Sequence, residues 1–211
     1  RNNIEVAASH RFCNAAPVTI AIYYGMQSMF EGETHVLTPG GAYTDWTEAA
    51  KASTFTKQEY PLFRRYVEKN RQGYQSTWLL PDGLGDHALL DGQDDIFIYA
   101  PYGKSYHKLI GNKRMENGDK TCWGGVYTWF ETPVADDADL LCYEGSAGGH
   151  TAVFIDCKRA CKRTLALPGY LDLRHFGTAE QNSGIRISAA GRNKLKIKAD
   201  APGSCVLLLR E

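Results

Sequence analysis

Basic side chains in the last third of the chain are the residues best suited to bind an anion. Lys194, Lys196 and Lys198 alternate with two apolar residues, Leu195 and Ile197. A strand would therefore place all three lysines on one face. Such a patch would attract phosphate, sulfate or carboxylate, and its attraction would weaken with salt. The same pattern fits a solvated sheet face, or an internal match to acidic residues elsewhere in the chain. The candidates are Lys158, Arg159, Lys162, Arg163, Lys194, Lys196 and Lys198, which Arg174, Arg186 and Arg192 could extend.

Aromatic side chains, concentrated in the first 130 residues, are the second candidate for binding. In the segment that ends at Phe130, strand alternation would separate Trp123, Tyr127 and Trp129 from Val126 and Phe130. Exposed aromatic rings stack on sugar faces, so the first set could face a ligand while the second enters the core.

An acidic, glycine-rich loop covers residues 82–95. Its aspartates, among them Asp82, Asp86 and Asp91, could supply oxygen ligands to Ca²⁺. The spacing departs from an EF-hand, because Leu84 occupies the third loop position and the closing glutamate is missing. An exposed turn fits the pattern better, so we expect no cofactor, and these three residues are the candidates if Ca²⁺ binds.

Ser146 and His150 share one glycine-rich loop and could serve a hydrolase with an acidic partner such as Asp156. The loop does not follow the GxSxG pattern, since Gly149 comes three residues after the serine. A nucleophilic Cys142 beside His150 would need a free thiol. We therefore expect a protein that binds without catalysis, with the hydrolase as the alternative.

The six cysteines fit three disulfide bonds in an oxidising compartment, although six buried thiols would fit a cytosolic protein. Within one strand, Cys157 and Cys161 would lie too far apart to bond, so we expect each to pair with a distant cysteine. Six cysteines allow 15 connectivities, and no zinc-ligand spacing accompanies them. They are Cys13, Cys122, Cys142, Cys157, Cys161 and Cys205.

The positions of turn signals and apolar residues predict a mainly β protein made of two small β-sandwich-like units. One α-helix is expected at about residues 57–70, where Thr56 and Glu59 form a capping box. From residue 140 onward, short β-rich segments recur between glycine and proline turns, as in a sandwich or barrel. The acidic connection at 133–139 marks the boundary, which gives units 1–135 and 136–211.

Composition narrows the class of protein. The 211 residues are 43% hydrophobic and 23% charged, so disorder is not expected. No apolar stretch is long enough for a transmembrane helix. The formal net charge is zero, which disfavours a nucleic-acid binder, although residues 158–211 hold 11 basic and 4 acidic side chains. Both removal of a secretory signal and trimming of the chain would account for the start at Arg1.

The first 125 residues resemble a family of small secreted bacterial domains of unknown function. The resemblance implies a secreted β domain with a Cys13–Cys122 bridge and implies no activity. The other four cysteines would then pair among themselves. The matching segments are Phe12-Cys13-Asn14, Val18–Tyr23, Leu37-Thr38-Pro39-Gly40, Phe97-Ile98-Tyr99-Ala100 and Cys122.

Together these features predict a secreted or extracellular, disulfide-stabilised protein that recognises a glycan or an anionic cell surface. A lectin-like protein, a toxin and a host-interaction effector all belong to this class. A secreted hydrolase is the first alternative. A protein-binding inhibitor or structural protein is the second.

Overall fold

The computed structural model describes residues 2–29, 35–37, 43–45, 54–55, 74–79, 96–99, 104–181 and 184–209. Its strands are β1 (Asn2–Arg11), β2 (Val18–Met29), β3 (His35–Leu37), β4 (Tyr43–Asp45), β5 (Thr54–Phe55), β6 (Tyr74–Leu79), β7 (Ile96–Tyr99), β8 (Lys104–Met115), β9 (Lys120–Phe130), β10 (Ala135–Asp136), β11 (Leu140–Ala147), β12 (His150–Cys157), β13 (Cys161–Ala166), β14 (Phe176–Gln181), β15 (Ile185–Ala189), β16 (Lys194–Ala199) and β17 (Gly203–Leu209).

The protein is mainly β, as the sequence predicts. The helix predicted at about residues 57–70 is not borne out: the described residues contain no α-helix, and residues 56–73 lie outside them. The one helical element in the described part is a short 3-10 turn, Leu173–His175, whose N-cap Asp172 accepts a hydrogen bond from the backbone of Arg174.

Three sheets stack on one another. The outer sheet has the order β1-β9-β6, and the central sheet has the order β10-β11-β12-β17-β14. The third, called the lysine sheet below, has the order β13-β16-β15. The strands β2, β8, β7 and β5 form a separate four-stranded sheet, and β3 pairs with β4. All of the pairings are antiparallel.

The central sheet is buried on both faces, which explains the nearly continuous apolar sequences of β12 and β17. Successive residues of the central strands point to opposite faces of the sheet, and therefore enter two different cores. Between the central and outer sheets, Phe130, Tyr143 and Phe154 stack face to face, with ring centroids 4.4 and 4.6 Å apart. Between the central and lysine sheets the core is aliphatic and holds Cys142, Cys157 and Cys205 beside Leu, Ile and Val side chains.

The aromatic core crosses the boundary proposed from the sequence. Trp78, Val126 and Phe130 from the first part pack with Tyr143 and Phe154 from the second. The division into units 1–135 and 136–211 stays a prediction, but one core is built from both parts.

The hairpin between β11 and β12 is closed by two glycines. Gly148 and Gly149 have φ of 59° and 78°, and the type I′ hairpin turn needs positive φ at both central positions. This turn fixes the register of β12, and with it the alternation that sends Cys157 into the aliphatic core.

Candidate anion-binding face

The lysine sheet presents one polar, cationic face to solvent. In β16, Lys194, Lys196 and Lys198 are exposed while Leu195 and Ile197 are buried, as strand alternation predicts. The flanking strands add Lys162 from β13 and Arg186 from β15, both exposed. The five cationic side chains are called the lysine face below.

The registers align three cations in one row across the sheet. Lys198 lies opposite Lys162 on one side and opposite Arg186 on the other. Side chains directly opposite one another have Cβ atoms about 5 Å apart, and like charges in such pairs are destabilising. The geometry therefore concentrates positive charge at a cost to the sheet.

The remaining positions of this face are small. Lys196 lies between Thr164 and Ser188, and Lys194 lies opposite Ala166. Short neighbours leave the lysine stems unobstructed. Along β16 the first and last lysine are four residues apart, about 13 Å. The result is a flat array of cations that could contact several anionic groups at once.

A single carboxylate touches the lysine face within the described part of the chain. Asp200 forms ion pairs with Lys198 and Arg186, each with an N–O distance of 3.1 Å. The hydrogen bond from Lys198 is the largest cause of its lowered pKa. Lys162, Lys194 and Lys196 form no ion pair with any described residue. The face therefore keeps a net positive charge.

The other predicted cations are neutralised internally. Lys158 pairs with Asp136 at 2.5 Å, and Arg159 pairs with Asp139 at 2.5 Å. Arg163 bridges Asp137 and Asp139 at 2.8 and 2.7 Å. These three basic residues are therefore matched by the acidic segment that the sequence suggests as a domain connection.

The pKa values of these groups follow from the pairing. Hydrogen bonds to Asp139 and then to Asp137 raise the pKa of Arg163. The hydrogen bond from Arg163 is the main cause of the lowered pKa of Asp139. Burial raises the pKa of Asp137. The hydrogen bonds from the backbone of Asp139 and from Arg163 lower this pKa by a larger amount, so it lies below its ordinary value of 3.8. All three groups are held in their charged forms.

Arg174 and Arg192 belong to a different cluster. Both contact Asp172, at 2.5 and 3.2 Å, and the hydrogen bond from Arg174 holds the pKa of this carboxyl far below its ordinary value. Of the three arginines that could extend the patch, Arg186 alone lies on the lysine face.

The predicted aromatic candidates lie on β9, far from the lysine face. Val126, Thr128 and Phe130 are buried towards the central sheet, whereas Tyr127 and Trp129 point away from it. The latter two rings are half-buried and stacked, with centroids 5.8 Å apart and an interplanar angle of 19°. The side chain of Trp123 lies outside the described residues.

Two buried polar atoms accompany the stacked rings. Gln75 lies opposite Trp129 and Thr77 lies opposite Tyr127, on the same sheet face. Gln75 Oε1 and Thr77 Oγ1 have no hydrogen-bond partner among the described residues. Sheets stack about 10 Å apart, so three layers separate these rings from the lysine face by about 20 Å. The basic and aromatic candidates therefore lie on opposite sides of the three layers.

The hydrolase candidates are not brought together. Ser146 lies opposite Thr151 and His150 opposite Ala147, so the serine and histidine point to opposite faces of the hairpin. Asn3 donates a 2.7 Å hydrogen bond to Ser146 Oγ.

Asp156, the proposed acid, is buried and accepts a hydrogen bond from Ser204. Along β12 it lies six residues from His150, about 20 Å. The geometry offers no nucleophile–base pair among these three residues.

The described residues contain no disulfide bond, and the register of β1 against β9 opposes the predicted Cys13–Cys122 bridge. Cys122 lies opposite Ser9, four residues before Cys13, which corresponds to about 13 Å along the ladder. A disulfide requires Cα atoms within about 7 Å. The argument from strand spacing does not apply to Cys157 and Cys161, because β12 ends at the first and β13 begins at the second.

No group of three or more metal-ligating side chains occurs in the part of the chain that the structure describes. The predicted Ca²⁺ candidates Asp82, Asp86 and Asp91 lie outside that part. The internal match to acidic residues, which the sequence offers as an alternative, applies to Lys158, Arg159 and Arg163, and their partners come from the acidic connection at 133–139.

Comparisons of the chain with protein-family models, with curated proteins and with solved structures find no match. Among the described residues, no helix has the length and apolar character needed to span a membrane. The candidate function therefore rests on the geometry of the sites.

Proposed function

We propose that the protein is a secreted binding protein whose lysine face recognises an anionic glycan, such as a sulfated or carboxylated polysaccharide at a cell surface. The observation that carries this proposal is the alignment of Lys162, Lys198 and Arg186 in one exposed row, against a single contacting carboxylate. Like charges directly opposite one another in a sheet are destabilising, so the row has a cost that a bound anion would offset.

The chemistry of lysine suggests the kind of recognition. An ammonium group is a flexible point charge, unlike the planar fork of arginine that matches one anion in a fixed geometry. Four of the five cations of the lysine face are lysines. Such a face suits a linear chain with repeated anionic groups, and its binding should depend strongly on salt.

The stacked Tyr127 and Trp129 are half-buried beside the buried Gln75 and Thr77, and their exposed parts are the second candidate for contact with an uncharged sugar ring. Because they lie on the far side of the three layers, a short oligosaccharide could not reach both surfaces at once. We therefore assign anion recognition to the lysine face alone.

A salt-gradient experiment on immobilised heparin, with neutral dextran as the reference matrix, tests the proposal. The variant Lys194→Gln, Lys196→Gln, Lys198→Gln should elute at clearly lower salt than the original protein, which itself should pass through dextran. Arg174→Gln is the matched control, because this arginine is exposed and is paired with Asp172 elsewhere on the protein. Unchanged retention of the triple variant would refute the assignment. Stronger binding to anionic vesicles than to heparin would move it from a glycan to a lipid surface.

A further inference from the structure

Two cysteines mark the ends of the connection between the central and lysine sheets. Cys157 is the last residue of β12 and Cys161 the first residue of β13, with a three-residue bend between them. Their register partners, Gly203 and Ala199, mark the ends of the β16–β17 connection. The two crossings therefore run side by side at one end of the aliphatic core.

Both cysteine side chains point into the space between the two sheets. Cys157 is fully buried in the aliphatic core, and Cys161 packs against it, half-buried. Both are free thiols. Burial and then the neighbouring Cys161 raise the pKa of Cys157 above its ordinary 9.0. The two side chains thus share the end of the aliphatic core at which β12 passes into β13.

The other two cysteines of this core are held apart by the ladder. Cys142 and Cys205 both lie opposite Ile155, on either side of it, so two strand spacings, about 9.6 Å, separate them. Each is a diagonal neighbour of Cys157, at about 7–8 Å. These separations exceed the Cα distance that a disulfide accommodates without backbone movement.

We infer that Cys157 and Cys161 form a reversible disulfide bond that ties the lysine sheet to the central sheet, while Cys142 and Cys205 stay thiols. The oxidant we name is a small disulfide of the oxidised-glutathione class. The more exposed Cys161 attacks it as a thiolate, forming a mixed disulfide and releasing one glutathione thiolate. The Cys157 sulfur, after losing its proton to solvent, then attacks Cys161 Sγ and releases the second glutathione. Two protein thiols lose two electrons and two protons, and one glutathione disulfide becomes two thiols.

The sequence around the pair allows a sharp mapping experiment on the intact chain. The protein is incubated with oxidised glutathione, denatured, blocked with N-ethylmaleimide and digested with trypsin and an endoproteinase that cleaves before aspartate. The expected product joins Asp156-Cys157-Lys158 to Ala160-Cys161-Lys162, at a mass two hydrogens below the sum of the two peptides. Reduction should split it, and Cys142 and Cys205 should carry the maleimide.

Two variants serve as controls. Cys205→Ala should leave the linked peptide unchanged, whereas Cys161→Ser should leave Cys157 labelled with maleimide. The inference is overturned if Cys157 and Cys161 are labelled after oxidation at every glutathione ratio. A link from Cys157 to Cys142 or Cys205 would overturn it as well. The mapping does not involve a glycan, so its outcome is independent of the function proposed above.

Discussion

Neutralising Lys162 should weaken anion binding and stabilise the protein at the same time. Lys162 lies directly opposite Lys198, and it has no ion-pair partner among the described residues. If the two ammonium groups are about 7 Å apart in water, their repulsion is about 0.6 kcal/mol. Lys162→Gln removes this repulsion, so Tm should rise by about 1–2 °C.

The same substitution removes one contact to a bound sulfate. A pair of unit charges at about 4 Å in water is worth about 1 kcal/mol, which corresponds to a Kd about fivefold higher. Calorimetric titration with heparin oligosaccharides at low salt measures the affinity, and thermal unfolding measures the stability. Opposite signs for the two effects distinguish a binding face from a structural one.

Two matched variants complete this test. Lys162→Arg keeps the charge and should leave both the Kd and Tm near their original values. Arg174→Gln removes the same charge from a side chain that is 68% exposed and paired with Asp172, and it should leave the Kd unchanged. The reasoning is refuted if Lys162→Gln lowers Tm or leaves the Kd for heparin unaltered.

Two further predictions concern stability. A Cβ at Gly145 would lie 2.8 Å from Phe154 Cε2, so Gly145→Ala should lower the unfolding free energy by about 1–3 kcal/mol in denaturant titrations. Gly169→Ala, where a Cβ meets open space, should leave it nearly unchanged, and equal losses would contradict the packing argument. The folded-state pKa of Asp139 is lowered by Arg163, so its stabilising contribution is present above pH 3.8 and is lost as the pH falls through the folded pKa. Unfolding at pH values between about 4 and 2 should therefore show a shallower loss of stability in Arg163→Gln, and identical slopes would contradict this linkage.

Part of the candidate site could be predicted from the sequence because a strand has a period of two. Alternation in residues 194–198 places three lysines on one face whatever the strand pairs with, and the structure confirms this. The row of cations could not be predicted, because it depends on the registers of β13 and β15 against β16. Register is set by turns and burial across the whole sheet, which a local pattern does not contain.

The cysteine pairings could not be predicted for a related reason. Separation along the chain gives a distance only when the intervening conformation is known, and the bend after Cys157 means that the distance along a straight strand does not apply to Cys157 and Cys161. For Cys13 and Cys122, the ladder between β1 and β9 gives a separation that the spacing in sequence does not reveal. Both cases need the long-range topology.

The second half of the chain contains two groups of cations, and the difference in their acidic partners supports the proposed function. Lys158, Arg159 and Arg163 have aspartates within 3 Å, which shows that this chain supplies acidic partners where a local cluster of cations is structural. The lysine face is built from the same residue types, yet Asp200 alone contacts it within the described chain. Sequences normally avoid unfavourable local arrangements unless function requires them. The row of Lys162, Lys198 and Arg186, in which one carboxylate serves three cations, is such an arrangement, and an anion from outside the protein would relieve it.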